Sequence, residues 1–521
     1  MDKVMSMEEA AKMISSGDSI VWNSFGSICF PEELAAEIGK RFLETGEPNN
    51  LEYFFATAGV WDDERMIELM SHEGMVQKVT SSHFTPILKI QDMVKKNKIE
   101  GYNLPLGIIS HLLRAAAGKK PGIITKVGLN CFIDPRNGGA SLNEKSQDEL
   151  VDLMEIDGEE YLFYKTPKPN VAILRGTTAD INGNITMEKE AVYLDPFVTA
   201  MAAKANGGKV IIQVERLSGE KAVARNVKIP GTIVDAIVVA PEQKQVMIED
   251  YNPTYTGEIR VPESEVANEL EKIKQYNIEK SGRKRERTIV HDIISRRSAI
   301  ELFDEAVVNL GVGIPEMIPE AAEEIGLKKD ITLTVESGVI GGYPASGLSF
   351  GAAVNVDVVQ DEAYQFDYYD GGGLDITFVG ALEVDEKGNV NVSRVKDTII
   401  GVGGFINITQ SAKKIVYCFP FSVGGLEVKY DDGKLEILKE GRYNKFSNEV
   451  DQISSSGDYS VKNNQEVYYI TERCVFTLTD KGLKIIEVAP GISIEDDIIA
   501  KMPFKPLIDK NVKIMDKKYF E

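Results

Sequence analysis

The chain has 521 residues, of which 43% are apolar and 27% charged, as is typical of a soluble globular protein. It is too long for one hydrophobic core, so we expect about two to four domains. Its 59 basic and 81 acidic side chains give a formal net charge of −22, which argues against nucleic acid or an anionic membrane as a partner. No stretch resembles a membrane span or a signal peptide, so we expect a cytoplasmic protein.

The cysteines and histidines are scattered along the chain and form no CxxC or HExxH pattern. This spacing favours reduced thiols over a disulfide framework. It also supplies no cluster of zinc ligands, so we expect no metal and no permanently bound cofactor. The residues concerned are Cys29, Cys131, Cys418 and Cys474, together with His72, His83, His111 and His291.

One pattern occurs twice along the chain. An apolar strand, a glycine-containing turn and a Pro-Glu helix start occupy residues 19–33 and again residues 306–316. Each half then has a strand followed by an Asp-x-x-Gly-Asn hairpin turn, at residues 180–184 and 385–389. The common order predicts two related open α/β domains with mainly parallel sheets, although coincidental turn chemistry is an alternative.

The repeat also suggests where the domains lie. Residues 1–270 are expected to form the N-terminal domain, enlarged by an insertion at about 60–165, and residues 300–521 the C-terminal domain. Between them, residues 271–299 are expected to form a charged linker that contains the basic run 279–287. Such a run is more often a solvated linker or helix face than a nucleic-acid site.

Glu336 is the most conspicuous candidate for chemistry. Residues 330–335 are short, apolar and β-branched, which predicts a buried parallel strand, and Glu336 follows it directly. The carboxylate would therefore lie where ligands usually bind in such sheets. Gly338, Gly341 and Gly342 permit unusual turns and a close ligand approach. On this pattern alone, Glu336 could also be a capping or solvent-exposed loop residue.

Seven segments share their motifs with one family: 308–316, 334–338, 368–375, 388–393, 403–408, 175–180 and 132–136. Through them the chain resembles the family I coenzyme A transferases nearly from end to end, and most closely the fused propionate and acetate type. The resemblance implies two open α/β domains with the active site between them. It implies transfer of coenzyme A from an acyl-CoA to a free carboxylic acid by a ping-pong mechanism. Glu336 would be the nucleophile, and a glutamyl-CoA thioester the intermediate.

The resemblance also suggests neighbours for Glu336. Gly403 and Gly404 match the loop opposite the glutamate, and their N–H groups are the expected oxyanion donors. A tight strand-to-helix turn is the alternative interpretation of these two glycines. A reference pKa of about 4.3 would leave Glu336 ionised unless burial raises it, so no general base is needed.

Coenzyme A is expected to act as co-substrate and covalent intermediate. Its binding site would include Asn407, as a hydrogen-bonding partner, and the turn after the first strand of the second half. The N-terminus of the following helix would favour anionic groups. The residues of this turn are Gly311, Val312, Gly313, Ile314 and Pro315.

The acyl pocket departs from the family pattern. Leu106 precedes Gly107 where the family usually has glutamine, and Trp61 could line the same pocket together with Gly26. Replacing an amide with a branched apolar side chain removes a hydrogen bond and makes the pocket more apolar. We therefore expect an acyl group more apolar or bulkier than acetate. The alternative is that Leu106 is a core residue and that short acids are still used.

Two other functions fit the same residues. Water could intercept the glutamyl thioester, which would make the protein an acyl-CoA hydrolase. A non-catalytic regulatory protein that binds coenzyme A or a sugar phosphate is a third possibility, although a binding protein needs no nucleophile. The expected partners are acyl-CoA and carboxylic acids, and by resemblance we expect a homo-oligomer.

Overall fold

The computed structural model describes residues 2–62, 64–246, 249–282 and 287–521. Residues 283–286, which belong to the predicted basic run, lie outside the described residues, as does Asp63 next to the predicted pocket residue Trp61. Within the described ranges, no helix is long and apolar enough to cross a membrane.

The N-terminal half is built around a sheet whose central strands are all parallel. Valine, isoleucine and aromatic side chains fill these strands, which are covered on both faces, as parallel strands require. In spatial order the parallel strands are Ala236–Val239, Lys209–Leu217, Val171–Ala179, Ser19–Val21, Leu51–Phe54, Val76–Ser81 and Glu100–Asn103. Antiparallel Ile185–Thr186 and Val227–Ile229 extend the sheet beside Val171–Ala179.

The C-terminal half contains a longer mixed sheet, parallel at its centre and antiparallel near both edges. In spatial order its strands are Val358–Val359, Val339–Ile340, Ile331–Val335, Ala306–Leu310, Ile376–Val379, Lys414–Cys418, Glu466–Ile470, Cys474–Thr479, Gly482–Val488 and Leu507–Ile514. The predicted strand before Glu336 is therefore present and lies beside the first strand of its half.

The two halves repeat the same strand order, as the sequence predicts. In each half the first strand lies between the next strand along the chain and the strand that precedes the Asp-x-x-Gly-Asn turn. The turns themselves are alike. Asp180 accepts backbone N–H bonds from Asn182 and Asn184, and Asp385 accepts them from Lys387 and Asn389. Two related open α/β domains are thereby confirmed.

Helices flank the sheets, and the Pro-Glu signals stand at helix starts. Pro31 precedes Glu32–Thr45, and Pro315 opens a 3-10 turn that leads into Ile318–Glu324. The α-helices are Met7–Ala11, Glu32–Thr45, Leu88–Lys95, Leu106–Ala117, Pro196–Ala205, Glu263–Ser281, Ile289–Ala299, Ile318–Glu324, Glu362–Tyr368, Phe405–Ser411 and Gly457–Lys462.

The remaining strands form small sheets outside the two large ones. A three-stranded sheet of Gly122–Thr125, Glu159–Lys165 and Val151–Ile156 lies in the region predicted as an insertion. The two-stranded sheets pair Tyr343–Pro344 with Ala353–Val354, Glu383–Val384 with Val390–Asn391, Arg394–Val395 with Thr398–Ile399, Ser422–Val423 with Tyr443–Asn444, and Glu427–Asp431 with Lys434–Lys439.

The segment predicted as a charged linker is largely helical. It includes the end of helix Glu263–Ser281 and the whole of helix Ile289–Ala299. Ile293 and Ile294 of the second helix are fully buried in the C-terminal core. The predicted boundaries at 270 and 300 remain a prediction.

The two halves contact each other through helices and loops at the carboxyl edges of their sheets. Helix Leu106–Ala117 of the first half packs against helix Glu362–Tyr368 of the second. One apolar cluster of buried side chains runs through both halves. The boundary between the domains is therefore a packed interface, and the carboxyl end of strand Ile331–Val335 lies beside it.

Candidate active site

Glu336 lies in a tight turn between two antiparallel strands. Strand Ile331–Val335 ends, and Val339–Ile340 pairs back onto it with Val335 opposite Val339. Gly338 has a φ of 104°, which favours glycine, and a β-carbon there would lie 2.0 Å from the carbonyl oxygen of Gln360. The hydroxyl of Ser337 donates to the carbonyl of Gly351 at 2.6 Å. The turn is thus fixed on both sides of the carboxylate.

Gly404 contacts Glu336 directly. A β-carbon added at Gly404 would lie 3.0 Å from Cγ of Glu336 and 3.3 Å from Cζ of Phe366. Gly404 also precedes helix Phe405–Ser411, and in the described part of the chain its N–H has no hydrogen-bond acceptor. An atom bonded to the Glu336 carboxylate would therefore lie close to this backbone.

Burial makes Glu336 an unusual carboxylic acid. Part of the residue reaches the surface, but Oε2 is buried and has no hydrogen-bond partner among the described residues. Burial raises the pKa of Glu336 to about 7, although its own backbone N–H and the amide of Asn309 oppose the increase. Burial is thus the exception under which ionisation is not automatic, and Glu336 is only partly ionised near neutral pH.

Gly403 has both of its backbone polar groups engaged with the first half of the chain. Its N–H donates to the carbonyl of Ser82 at 2.9 Å, and its carbonyl accepts the N–H of Leu106 at 2.9 Å. Its φ of 51° lies in the left-handed region. In this arrangement both groups of Gly403 form a contact between the halves, and the oxyanion role predicted for Gly403 stays a prediction.

The turn predicted to bind coenzyme A lies next to the Glu336 turn, because strands Ala306–Leu310 and Ile331–Val335 are parallel neighbours. Gly311 donates its N–H to Phe378, and Gly313 donates its N–H to the carboxylate of Glu316 at 2.7 Å. Val312 is 49% exposed, whereas Ile314 and Pro315 are buried. The N–H of Gly313 is therefore taken by the carboxylate of Glu316, and binding of coenzyme A at this turn stays a prediction.

Asn407 is fully buried, and its amide nitrogen donates to both carboxylate oxygens of Asp370 at 3.2 Å. Its Oδ1 has no partner in the described residues. Burial raises the pKa of Asp370 to about 6, against the opposing charge of His111. Asn407 thus contacts a carboxylate of the interface, and a hydrogen bond to coenzyme A would have to use Oδ1.

The predicted pocket residues Leu106 and Gly107 begin helix Leu106–Ala117. Leu106 is 1% exposed and belongs to the apolar cluster that both halves share. A β-carbon at Gly107 would lie 2.5 Å from the ring of Phe366 and 2.7 Å from the amide nitrogen of Asn407. Gly107 is therefore a close-packing point between the halves, and its neighbour Phe366 also approaches Gly404.

Gly26 and Trp61 lie in loops that follow neighbouring parallel strands of the first sheet. Gly26 has a φ of 54° and donates its N–H to Thr57, and a β-carbon there would meet no atom within 4 Å. Trp61 is partly exposed, and its N–H donates to Pro86 at 3.3 Å. Both loops follow carboxyl ends of strands, but the described contacts join neither residue to Glu336.

Sequence reasoning missed the polar side chains of the interface. Ser110, Asp195 and Glu362 are almost fully buried where the helices of the two halves meet. The signal for Asp195 was weak, since Asp-Pro at a helix start is ordinary capping chemistry. Glu362 resembles any acidic first-turn residue. Among the described residues, no group of three or more His, Cys, Asp or Glu side chains could hold a metal ion.

Comparison with known proteins identifies the family. The sequence profile of the family described as coenzyme A transferase matches residues 4–240 and 291–441. The chain therefore belongs to the coenzyme A transferase family, as its motifs suggested.

Relatives that span the whole chain agree with this assignment. The caffeate CoA-transferase of Acetobacterium woodii is 41% identical, over 100% of this chain and 98% of the relative. The acetate CoA-transferase YdiF of Escherichia coli O157:H7 is 38% identical, over 99% of this chain and 95% of the relative. This protein is accordingly an enzyme that transfers coenzyme A, and a non-catalytic regulator is not supported.

A solved structure matches the fold over its full length. The crystal structure of acyl-CoA transferase YdiF from E. coli O157:H7, as a thioester complex with CoA, has a TM-score of 0.90 and 36% identity. The match covers 100% of this chain and 96% of that chain. Two α/β halves with mainly parallel sheets are thus the architecture of a coenzyme A transferase.

The first prediction concerns pH. If Glu336 is the nucleophile that the sequence predicts, only its ionised form can attack. Because burial raises its pKa to about 7, kcat/KM should then rise with pH and level off above about pH 7. Below that midpoint the rate should fall about tenfold per pH unit. Steady-state rates between pH 5 and pH 9 measure this limb. A midpoint near 4.5, the ordinary glutamate value, would contradict the burial argument.

Thermal unfolding tests the raised pKa of Glu336 without any substrate. A raised folded-state pKa means that ionised Glu336 costs stability once pH exceeds its unfolded-state value. Glu336→Gln should therefore melt at a higher temperature than the wild type at pH 8, and the difference should shrink toward pH 5.

The second prediction concerns the contact at Gly404. In Gly404→Ala the new methyl group would lie 3.0 Å from Cγ of Glu336, so the carboxylate must move by a few tenths of an ångström. We expect kcat to fall about tenfold or more, because catalysis depends steeply on the position of the attacking group. Gly219→Ala is the matched control, since its β-carbon meets nothing within 4 Å. Equal kcat in both variants would count against the contact.

Proposed function

We propose that this transferase works through a glutamyl-CoA thioester on Glu336, which moves coenzyme A from an acyl-CoA to a second carboxylic acid. The observation that carries the proposal is the position of Glu336, a buried carboxylate at a strand end with the backbone of Gly404 against its Cγ. The related YdiF, which forms a thioester complex with CoA, supports the same type of intermediate.

The reaction divides into balanced covalent steps. A carboxylate oxygen of Glu336 attacks the acyl carbonyl carbon, the C–S bond breaks and coenzyme A leaves as a thiolate. The acyl group is now joined to Glu336 as a mixed anhydride. The thiolate then attacks the Glu336 carbonyl carbon and releases the first acid as a carboxylate. The product is glutamyl-CoA thioester. The second acid runs these steps in reverse, so each cycle regenerates the free carboxylate without a net proton transfer or redox change.

Each attack builds negative charge on a carbonyl oxygen. The free N–H of Gly404, next to Glu336, is the backbone donor we assign to this charge, since the N–H of Gly403 is engaged with Ser82. One such donor contributes about 2.7–4 kcal/mol to transition-state stabilisation. Its fixed position beside the carboxylate would serve the steps in which the Glu336 carbonyl carbon is attacked.

Burial of the nucleophile favours transfer over hydrolysis. The surroundings that raise the pKa of Glu336 are apolar and close-packed, and they include Phe366 and Ile408 at Gly404. A site that excludes water protects an anhydride or thioester from hydrolysis until an acid arrives. Hydrolysis of acyl-CoA is the competing outcome that the same glutamate allows.

We further propose that the acyl group is more apolar or bulkier than acetate, with aromatic acids included. Leu106 stands where the resembled family usually has glutamine, and its backbone is tied to Gly403 beside the nucleophile. The caffeate CoA-transferase of A. woodii, at 41% identity, supports an aromatic acid. The 1% exposure of Leu106 supports the core interpretation, in which Leu106 has no direct role in acid selection.

Cytoplasmic location and a homo-oligomeric state are also proposed. The four cysteines are buried and unpaired, which fits a reducing compartment. Leu507, Ile508 and Ile514 are exposed on the edge strand Leu507–Ile514, an apolar edge that a second copy could cover. Light scattering in solution measures the mass and hence the oligomeric state.

The third prediction tests the intermediate. Incubation with an acyl-CoA and no acceptor acid should leave coenzyme A attached to the peptide that contains Glu336, as seen by mass spectrometry after proteolysis. Glu336→Gln should carry no adduct. An adduct on another peptide, or none, would overturn the proposed nucleophile. Free coenzyme A that accumulates without acceptor would reveal hydrolysis.

The fourth prediction tests the acid. With one acyl-CoA donor, kcat/KM should be at least about tenfold higher for a cinnamate-type acid than for acetate, since extra apolar contact strengthens binding. Leu106→Gln should reduce this ratio, whereas Leu106→Met, which keeps the apolar volume, should not. A preference for acetate in the wild type would contradict the proposed pocket, and an unchanged ratio in Leu106→Gln would assign Leu106 to the core.

A further inference from the structure

Two carboxyl groups are buried together where the halves of the chain meet. Asp195 belongs to the first half and is 2% exposed, and Glu362 belongs to the second and is 3% exposed. Oδ1 of Asp195 accepts the N–H of Ala363 at 3.0 Å, and Oε2 of Glu362 accepts the hydroxyl of Ser110 at 2.6 Å. Oδ2 of Asp195 and Oε1 of Glu362 have no partner among the described residues.

Two buried carboxylates without cationic partners are unfavourable when both are ionised. Neither Asp195 nor Glu362 forms an ion pair in the described part of the chain, and burial raises the pKa of both. The charge of Asp195 raises the pKa of Glu362 further, as does that of Glu336. One proton bound by the pair relieves the repulsion, as in other carboxyl dyads.

The basic groups near the pair interact with other carboxylates. The two basic groups on the neighbouring helix Leu106–Ala117 both bond to Asp367, at 2.9 Å from His111 and 2.7 Å from Arg114. Lys228 and Arg114 act on Asp361. The charged groups that act on the pair itself are His111, Glu336 and Asp361. Arg114, Lys228, Asp367 and Asp370 act on His111 or Asp361 instead.

Backbone hydrogen bonds and side-chain packing connect the pair to Glu336. Glu362 donates its backbone N–H to Leu194 at 3.2 Å, which anchors the start of helix Glu362–Tyr368 to the first half. Two residues earlier, Gln360 donates its N–H to the carbonyl of Gly338 in the Glu336 turn at 2.9 Å. On the same helix, Phe366 contacts Gly404, the neighbour of Glu336. A shift at Glu362 would thus reach Glu336 by two routes.

We propose that Asp195 and Glu362 share one proton and form a positioning pair for Glu336, with Glu362 as the neutral partner. The shared proton holds the start of helix Glu362–Tyr368 against the first half. Neutral Glu362 also keeps a second negative charge away from Glu336, which can then ionise in its buried site. This inference rests on the proposed role of Glu336 as nucleophile.

Amide substitution distinguishes a neutral Glu362 from an ionised one. Glu362→Gln replaces a protonated carboxyl with a neutral group of the same shape. The midpoint of the acid limb in the pH profile of kcat/KM should therefore stay within about 0.3 pH units of the wild-type midpoint. If Glu362 is ionised in the wild type, removing that charge beside Glu336 should move the limb down by about one pH unit or more, which would overturn the proposal.

Truncation tests the positioning role. Glu362→Ala should lower kcat about tenfold or more and leave KM for acyl-CoA within about threefold, whereas Glu362→Gln should keep kcat within about threefold. Equal kcat in the two variants would refute positioning. Glu44→Gln, an exposed carboxylate on helix Glu32–Thr45, is the control. Circular dichroism checks folding, and if the alanine variant fails to fold, Glu362→Asp, which withdraws the carboxyl group by one methylene, must lower kcat relative to Glu362→Gln.

The adduct assay separates this inference from the proposed function. If the pair acts as described, wild type and Glu362→Gln both form the adduct on Glu336. Absence of the adduct in the wild type would remove the nucleophile itself. An adduct in the wild type with a shifted acid limb in Glu362→Gln would remove the pair alone.

Discussion

Two backbone hydrogen bonds at Gly403 connect the halves of the chain beside the carboxylate of Glu336. Gly403 donates to Ser82 and accepts from Leu106, so the loop that places Gly404 against Glu336 depends on the first half for its position. Each bond contributes only about 1 kcal/mol, but together with the packing of Phe366 onto Gly107 they hold the loop against the first half. Glu336, the proposed nucleophile, belongs to one half, and its position depends on contacts between both.

The proposed role of Glu336 as nucleophile makes opposite demands on this interface. The carboxylate would have to be ionised to attack, which burial disfavours, and kept from water, which burial provides. A pKa of about 7 is the compromise, since a useful fraction of the enzyme is ionised at neutral pH. A neutral Glu362 nearby fits the same balance, because a second fixed negative charge would push that pKa higher and leave little active enzyme.

The sequence was most informative where the signals were local. Strand, turn and helix-start patterns identified both repeats, and strand 330–335 was predicted within one residue of the observed Ile331–Val335. It was least informative where a residue's role depends on a partner far away in the chain. The engagement of the Gly403 N–H with Ser82, the burial of Glu336 and the meeting of Asp195 with Glu362 follow from docking of the two halves. No local pattern in the sequence encodes that docking, and the Asn407 contact with Asp370 was missed for the same reason.

The two halves share a strand order but use equivalent strand ends differently. Strand Leu51–Phe54 of the first half occupies the same place in its sheet as strand Ile331–Val335, yet it continues into Phe55, whose ring stacks on Trp22 at 4.4 Å. One copy of the strand end therefore serves packing, and the other presents the carboxylate of the proposed nucleophile. The candidate active site lies where the internal symmetry of the chain is broken, so a comparison of the two halves reveals it by their differences.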